Sequence, residues 1–407
     1  MNSNGNNDNR PYGVRTWIEI SRSAIEHNYN AFRSVIPKTT MLMSVVKSNA
    51  YGHDISLFAK EMDRLGVDWL GVDAITEGLH LRSEGIKKPM LVLGYTLPER
   101  LREAIDENIS LGISTFATLG QLRAGTEDLK GLKIHLKIDT GMHRQGFLLR
   151  DLPAALGFLK ERLPEVIVEG VFTHLASVDN PKIPNYSHEQ IMEFNKAIAL
   201  VREYGFSPIV HATQSAGTSS HPEAHFDMVR VGLGMYGLWP SPETRERAMS
   251  RFNLESRLNL DIRPVLSWKA VVAEKKVLYD GGRVGYDGTE DMPAGTVLAV
   301  VPVGYWHGYP RKLSGGVGHV YIRGKKARVV GRVSMDMISV DITHNKDVVV
   351  GDEVELIGEH ISAEEFASWA ETINYEVVTR LNPYTKRVLV SLETATASAG
   401  SRYGGRN

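Results

Sequence analysis

A chain of 407 residues, 42% hydrophobic and 23% charged, is long enough for two domains with substantial cores, and 47 basic against 48 acidic residues leave no electrostatic footprint for nucleic acid or an anionic membrane. The absence of cysteine excludes disulfides, thiolate metal sites and cysteine nucleophiles. The start, MNSNGNNDNR, lacks the apolar centre of a signal peptide and no apolar run approaches the ~20 residues of a membrane span, so a cytoplasmic protein acting on a small molecule is expected.

Residues 1–14 and 394–407 are too polar and too rich in small residues to build a core, and both are expected to be disordered tails. Residues 16–20 read as a short strand, and Ser23-Ala-Ile-Glu26 reads as a capping box opening a helix. A regular alternation follows. Apolar runs at 41–46, 69–72, 90–93, 110–113, 133–138, 166–173, 209–212 and 228–231 are separated by segments of helical periodicity such as 98–107, 152–163 and 189–204. Eight strand and helix units within roughly 250 residues are the content of a closed (β/α)8 barrel, and no Gly-x-Gly-x-x-Gly follows the first strand to favour an open dinucleotide-binding sheet. Past Gly237, SPETRERAMSRFNL reads as a linker. From Leu260 short strands alternate with turn signals at Tyr279-Asp-Gly-Gly and Arg323-Gly-Lys-Lys, interrupted by one helix over 362–371. The predicted fold is α/β plus β: an N-terminal TIM-like (β/α)8 barrel over 15–250 and a mostly β domain over 251–393.

Within the first of the eight runs, Met41, Met43 and Val45 alternate with Leu42, Ser44 and Val46; Lys47 stands where the run stops, and Asp54 is placed to cap the next helix. The C-terminal ends of parallel strands are where chemistry collects. In KIHLKID, Ile134, Leu136 and Ile138 share one face while His135, Lys137 and Asp139 share the other. On a barrel strand the second set points inward, and an inward ammonium needs a partner or a modification; the alternative is a sheet-edge strand with a solvated polar face. Arg144 follows in the next loop, and His174, Gln214, Ser215 and Arg230 occupy the later strands and their ends. Ser215-Ala-Gly-Thr and Val231-Gly-Leu-Gly add backbone amides able to approach a phosphate. The combination points to a phosphorylated cofactor or substrate beside an amine nucleophile, with no metal expected.

Val45-Val-Lys47-Ser-Asn-Ala-Tyr51-Gly-His53 resembles the pyridoxal-phosphate lysine motif of alanine racemases. Lys137-Ile-Asp-Thr-Gly-Met-His-Arg144, Phe172-Thr-His174, Met228-Val-Arg230-Val-Gly232, Val284-Gly-Tyr286, Gly308-Tyr-Pro-Arg311, Gly331-Arg-Val-Ser-Met335-Asp336 and Glu371-Thr-Ile-Asn-Tyr375 are similar to further family motifs, in family order. The resemblance implies a fold-type III enzyme that works as a head-to-tail homodimer with shared active sites and serves D-alanine metabolism, whether for the cell wall or in catabolism. By the same resemblance Lys47 would bind pyridoxal 5'-phosphate covalently and act as one base, with Tyr286 of the partner subunit as the second. Tyr51, Ser215, Gly232 and Tyr375 would hold the phosphate and Arg230 the pyridine nitrogen. Arg144 would contact the phenolic oxygen and the substrate, positioned by Lys137, which many family members carbamylate. His174 and Arg230 would stand behind Tyr286, and Met335 and Asp336 near the substrate carboxylate. Trp306-His307 replaces a more usual Ala-Asp, which leaves serine or lysine open as substrates beside alanine. The rival readings are a fold-type III decarboxylase, disfavoured by Arg230 together with Tyr286, and a non-catalytic cofactor-binding protein, disfavoured by the retained tyrosine.

Overall fold

The computed structural model describes residues 10–125, 128–178, 183, 185–246 and 260–391. Strand β1 (Thr16–Ser21) leads into a helix, Arg22–Val35, whose cap is Ser21: its hydroxyl accepts from the Ala24 amide. The cap predicted at Ser23 therefore sits two residues too late. Ser21 has the extended backbone that lays its oxygen over the first turn, whereas Ser23 is already inside the helix.

Eight strands then close a parallel barrel in chain order: β2 (Met41–Val45), β3 (Trp69–Val72), β4 (Met90–Val92), β5 (Ser110–Ile113), β6 (Lys133–Lys137), β7 (Ile167–Phe172), β8 (Ile209–His211) and β9 (Met228–Val231). Each lies within the run expected for it, and β9 pairs back onto β2. Strand β6 has neighbours on both sides, β5 and β7, so it is no sheet edge. The alternation in β2 is used as read. Leu42 and Val46 join the core beneath the helices, while Met43 points inward to form a plug with Trp69, Leu91 and Met228. Each such side chain contributes about 1.5–3 kcal/mol by burial, and a one-residue slip would turn the whole set to the wrong face.

The second domain contains β10 (Leu266–Val271), β11 (Glu274–Leu278), β12 (Gly282–Val284), β13 (Glu290–Met292), β14 (Thr296–Val301), β15 (His319–Ile322), β16 (Lys325–Val330), β17 (Ile338–Asp341), β18 (Glu353–Ile357) and β19 (Lys386–Val390). Strands β12 and β13 form a two-stranded ribbon; the rest make a nine-stranded sheet in the order β11-β14-β17-β16-β15-β18-β10-β1-β19. Strand β1 thus lies between β10, antiparallel, and β19, parallel. The sequence reading puts this strand at the head of the barrel domain; hydrogen bonding puts it in the other sheet. All six of its residues are buried, so it needs cover on both faces and both edges, and only an interior position in a large sheet supplies that. Arg323 and Gly324, both at positive φ, join β15 to β16 in a two-residue hairpin.

The expected helix is present as Ala363–Ala370, its Ser362 hydroxyl accepting from the Glu365 amide. A second one, Asn374–Thr379, is a departure from the expectation of a single helix and carries Tyr375. Its six residues, NYEVVT, are too few and too β-branched to show a helical period. Residues 1–9 and 392–407, and with them most of both expected tails, lie outside the described residues, as do 247–259, the end of the expected linker and the boundary at 250/251. No described helix is long and apolar enough to cross a membrane.

Candidate active site

Strand β2 delivers Lys47 to the C-terminal mouth of the barrel, and the backbone then does something unusual. Ser48, Asn49, Ala50 and Tyr51 all have φ between 52° and 56°, one full turn in the left-handed region without a glycine among them. Such conformations cost roughly 1–2 kcal/mol per L-residue, so the surroundings must hold the turn in place. They do so from three sides. The Glu77 carboxylate accepts from the Ser48 amide at 2.6 Å and the Asp73 amide at 2.8 Å. The Asn49 side chain accepts from the Ile55 amide. From the second domain Arg387, buried and pushed down to about 10 by desolvation, donates twice to the Gly52 carbonyl and also to the carbonyls of Leu381, Asn382 and Thr385. The turn ends on the Asp54 cap, whose carboxylate accepts from Leu57 as expected.

Lys47 opens onto a cavity of about 780 Å³. Its walls bring together Tyr51, Lys137, Arg144, His174, Gln214, Ser215, Arg230 and Gly232 of the barrel and Tyr375 of the second domain. The strand-end residues Lys47, Lys137, Arg144, His174, Gln214, Ser215 and Arg230 converge on this one mouth, as read from the strand order. Tyr286, Met335 and Asp336 are not part of this wall; Tyr286 and Met335 are 67% and 54% exposed at the surface of the second domain.

Two groups of residues can be distinguished in the wall. In the first, the Ser215 hydroxyl accepts from the amides of Gly232 and Gly234, and Gly232 has no side chain because a Cβ there would come within 2.7 Å of the Tyr51 hydroxyl. Tyr51 packs on Tyr236 at 4.8 Å and on Tyr375 at 6.3 Å between ring centroids. Among the described residues neither the Tyr51 nor the Tyr375 hydroxyl has a hydrogen-bond partner. Burial raises both phenols, Tyr375 to about 12, so both are donors at neutral pH.

The second group is cationic. Lys47 Nζ donates to Asp73 at 2.9 Å, and Lys137 Nζ donates to the Gln145 side chain at 2.9 Å. Burial, reinforced by Arg144, Arg230 and Lys47, lowers Lys137 to about 8. The inward lysine has its partner, and it is a neutral amide. Arg230 is buried: its Nη2 donates to the carbonyls of Thr173 and Ala212, its Nη1 donates to His211 at 2.8 Å, and His174 Nδ1 lies 3.4 Å away. Desolvation lowers the guanidinium to about 9, which leaves it charged at neutral pH. His174 is held neutral, down to about 3, by burial and by the Arg230, Arg144, Lys137 and Lys47 charges.

The described lining thus carries four cations against the single carboxylate of Asp73, beside hydroxyl donors that lack protein acceptors. An elongated anion with one phosphate suits that arrangement: hydroxyls and amides for the phosphate, guanidinium groups for ring heteroatoms, and an amine for covalent attachment. Sequence reasoning did not find Asp73, Gln145 or His211. Asp73 directly follows β3, and the rule that pointed to Lys47 after β2 could have pointed to it; Gln145 and His211 carry no local signal.

The fold and the site together define an enzyme of the two-domain, lysine-centred barrel class. Family models described as "Alanine racemase, N-terminal domain" and "Alanine racemase, C-terminal domain" match residues 20–240 and 265–389. The chain belongs to the alanine racemase family, and by class it is an isomerase acting on amino acids. It is 40% identical to the alanine racemase of Symbiobacterium thermophilum over 377 residues, 90% of this chain and 95% of that one. It is 37% identical to that of Leptospira interrogans over 382 residues, 92% and 96% of the two chains. Among solved structures, the alanine racemase of Clostridium difficile 630 superposes with a TM-score of 0.85 at 30% identity, covering 94% of this chain and 97% of that chain. That of Bacillus anthracis with bound L-Ala-P gives 0.85 at 31% identity over the same shares.

Proposed function

We propose that this protein interconverts L- and D-alanine in the cytoplasm with pyridoxal 5'-phosphate, as a homodimer using two bases on opposite faces of the substrate. The observation that carries the reading is the meeting, in one cavity, of Lys47, the charged Arg230 and the partnerless hydroxyls of Tyr51 and Tyr375. Tyr51, Tyr375, Ser215 and Gly232 would hold the phosphate, Arg230 the pyridine nitrogen and Arg144 the phenolic oxygen. When bound, the cofactor supplies an electron sink that acidifies the α-proton of an amino acid joined to it.

The chain's own groups do the rest. Lys47 Nζ takes or returns the α-proton on one face, and its proton is exchanged beside the Asp73 carboxylate. The second face is served by the phenol oxygen of Tyr286 of the partner subunit. In one protomer Tyr286 is exposed on the loop joining β12 to β13. Tyr305 and Trp306, whose amides donate to the Ser334 and Met335 carbonyls, are exposed on the same domain, as are Met335 and Met337. A dimer that covers these exposed apolar side chains would bring Met335 and Asp336 toward the partner's cavity. Arg230, kept charged, disfavours a proton on the pyridine nitrogen, which weakens the sink and limits side reactions such as transamination.

The test incubates purified protein and cofactor with single enantiomers of alanine, serine and lysine, following optical rotation and released carbon dioxide. Loss of rotation with alanine and no gas is expected. Absence of any interconversion with cofactor bound refutes the reading, and a preference for serine or lysine would move the specificity to the exposed Trp306.

A further inference from the structure

Three ionisable groups of the barrel strands have no part in the chemistry above: the buried His135 on β6 and His211 on β8, and the half-buried Glu169 on β7. They form one line with Arg230. Arg230 Nη1 is 2.8 Å from His211 Nδ1; His211 Nε2 is 2.8 Å from His135 Nδ1; and His135 Nε2 is 3.3 Å from a Glu169 carboxylate oxygen that also accepts from the Ser110 hydroxyl. A guanidinium can only donate, so His211 Nδ1 must accept, and its proton must sit on Nε2. That proton is given to His135 Nδ1, which places the His135 proton on Nε2, facing the carboxylate. Each tautomer is dictated by its neighbour, and every hydrogen bond runs the same way, from the cation to the anion.

The strands give up regular structure to make the line. A Cβ at Gly170 would stand 2.1 Å from His135 Nδ1, so a glycine is needed to admit the ring. Pairing between β6 and β7 steps from Ile134 opposite Val168 to His135 opposite Gly170, which makes Glu169 the extra residue of a bulge. The Phe172 ring lies flat on His211, 4.9 Å away and 3° from parallel, and Trp69 meets the edge of His135. Both imidazoles are fully buried and held neutral by that burial. Burial would raise Glu169, but the hydrogen bonds from His135 and Ser110 and the charge of Lys133 outweigh it and hold the carboxylate at about 2.

We propose that Glu169 and His135 are positioning residues that act through His211 to keep the Arg230 guanidinium aligned on the pyridine nitrogen of the cofactor assigned above, and so govern how strongly that nitrogen resists a proton. The inference rests on that functional reading. A hydrogen-bond chain that ends on an anion polarises each member toward the cation at its head. Without the anion, either imidazole can turn over its tautomer, and a protonated Nδ1 on His211 would oppose the Arg230 N–H and push the guanidinium aside.

Two measurements test it. In the wild-type protein labelled with nitrogen-15 histidine, His135 and His211 are expected to carry their protons on Nε2 alone between pH 6 and 8, with or without pyridoxal 5'-phosphate. The Glu169→Gln holoenzyme should still bind the cofactor but show mixed tautomers at both rings, a changed pH titration of the bound cofactor's absorbance, and a kcat for alanine lower by roughly ten- to a hundredfold with KM within about twofold. A proton on Nδ1 of either ring in the wild type, or a Glu169→Gln enzyme with wild-type kcat and cofactor spectrum, would overturn the proposal. If Glu169→Gln does not accumulate as folded protein, Ser110→Ala, which removes one hydrogen bond to the same oxygen, takes its place; it should lower kcat severalfold, and no change in kcat or spectrum counts against the relay. A wild-type protein that neither binds the cofactor nor racemises alanine refutes the functional reading instead, while the imidazole signals still judge the alignment.

Discussion

Lys137 is the residue at which burial and charge conflict most plainly. Its folded pKa, about 8, lies below the ordinary 10.5, so the folded state disfavours the ammonium. The penalty is complete below about pH 8 and fades as pH rises toward 10.5, because the unfolded chain binds more protons within that window. Lys137→Met is therefore expected to be more stable than wild type at pH 7 by roughly 2–3 kcal/mol in urea unfolding, and the gap should close between pH 8 and 10.5. Equal stabilities at pH 7 would mean that the amine is not carrying its charge there. Carbamylation, which needs the neutral amine that this burial favours, would give that result together with a mass increment of one carbon dioxide. The Gln145 amide, now accepting from Nζ, can turn to donate to a carbamate. At the proposed second base, Tyr286→Phe should slow proton removal from one enantiomer of alanine far more than from the other in isotope-exchange measurements. Equal, small losses on both would count against a base on each face.

At the scale of single elements, the left-handed turn after Lys47 is a strained piece of backbone clamped between domains. Gly52, which ends it, has φ +81°, and a Cβ there would lie 2.0 Å from the Val378 carbonyl oxygen. Gly52→Ala is expected to destabilise the protein by roughly 3 kcal/mol or more, read from the urea midpoint, and to weaken cofactor binding as Lys47 loses its setting. An alanine variant with wild-type stability would show that the turn can relax without cost. The turn also marks the limit of what the chain discloses before folding. All eight barrel strands are legible because short apolar runs recur between segments of helical periodicity, and the lysine, arginine and histidine positions follow from their place at strand ends. Ser48, Asn49, Ala50 and Tyr51 are illegible as a left-handed turn because none is glycine; the contacts of Glu77 and Arg387, far away in sequence, impose the conformation. Likewise Glu169 and His211 each look like an isolated polar residue in a strand, and His135 looks like one of three inward groups on its own strand. Only the barrel's closure makes them a line.

The whole molecule divides its candidate chemistry between surfaces: Lys47 in the barrel cavity, Tyr286 exposed on the second domain. If the two meet across a dimer, dissociating and randomly reassociating equal amounts of Lys47→Ala and Tyr286→Phe chains leaves half the dimers mixed, each with one intact site, and about a quarter of wild-type activity should return. No recovery would place both bases on one chain. The nine-stranded sheet has a further consequence, for biosynthesis. Strand β1 is made before the other described strands, yet the residue opposite Thr16 is Ala270, about 250 residues later, and its other neighbour β19 is later still. At ~5–20 residues per second, the ribosome needs roughly 12–50 s to deliver the first of these partners. Through that interval Trp17, Ile18 and Ile20 emerge with no sheet to enter, while the barrel behind them can already close. A strand translated ahead of its sheet partners is among the last to find its place, and the nascent chain must keep it from pairing with a neighbour's.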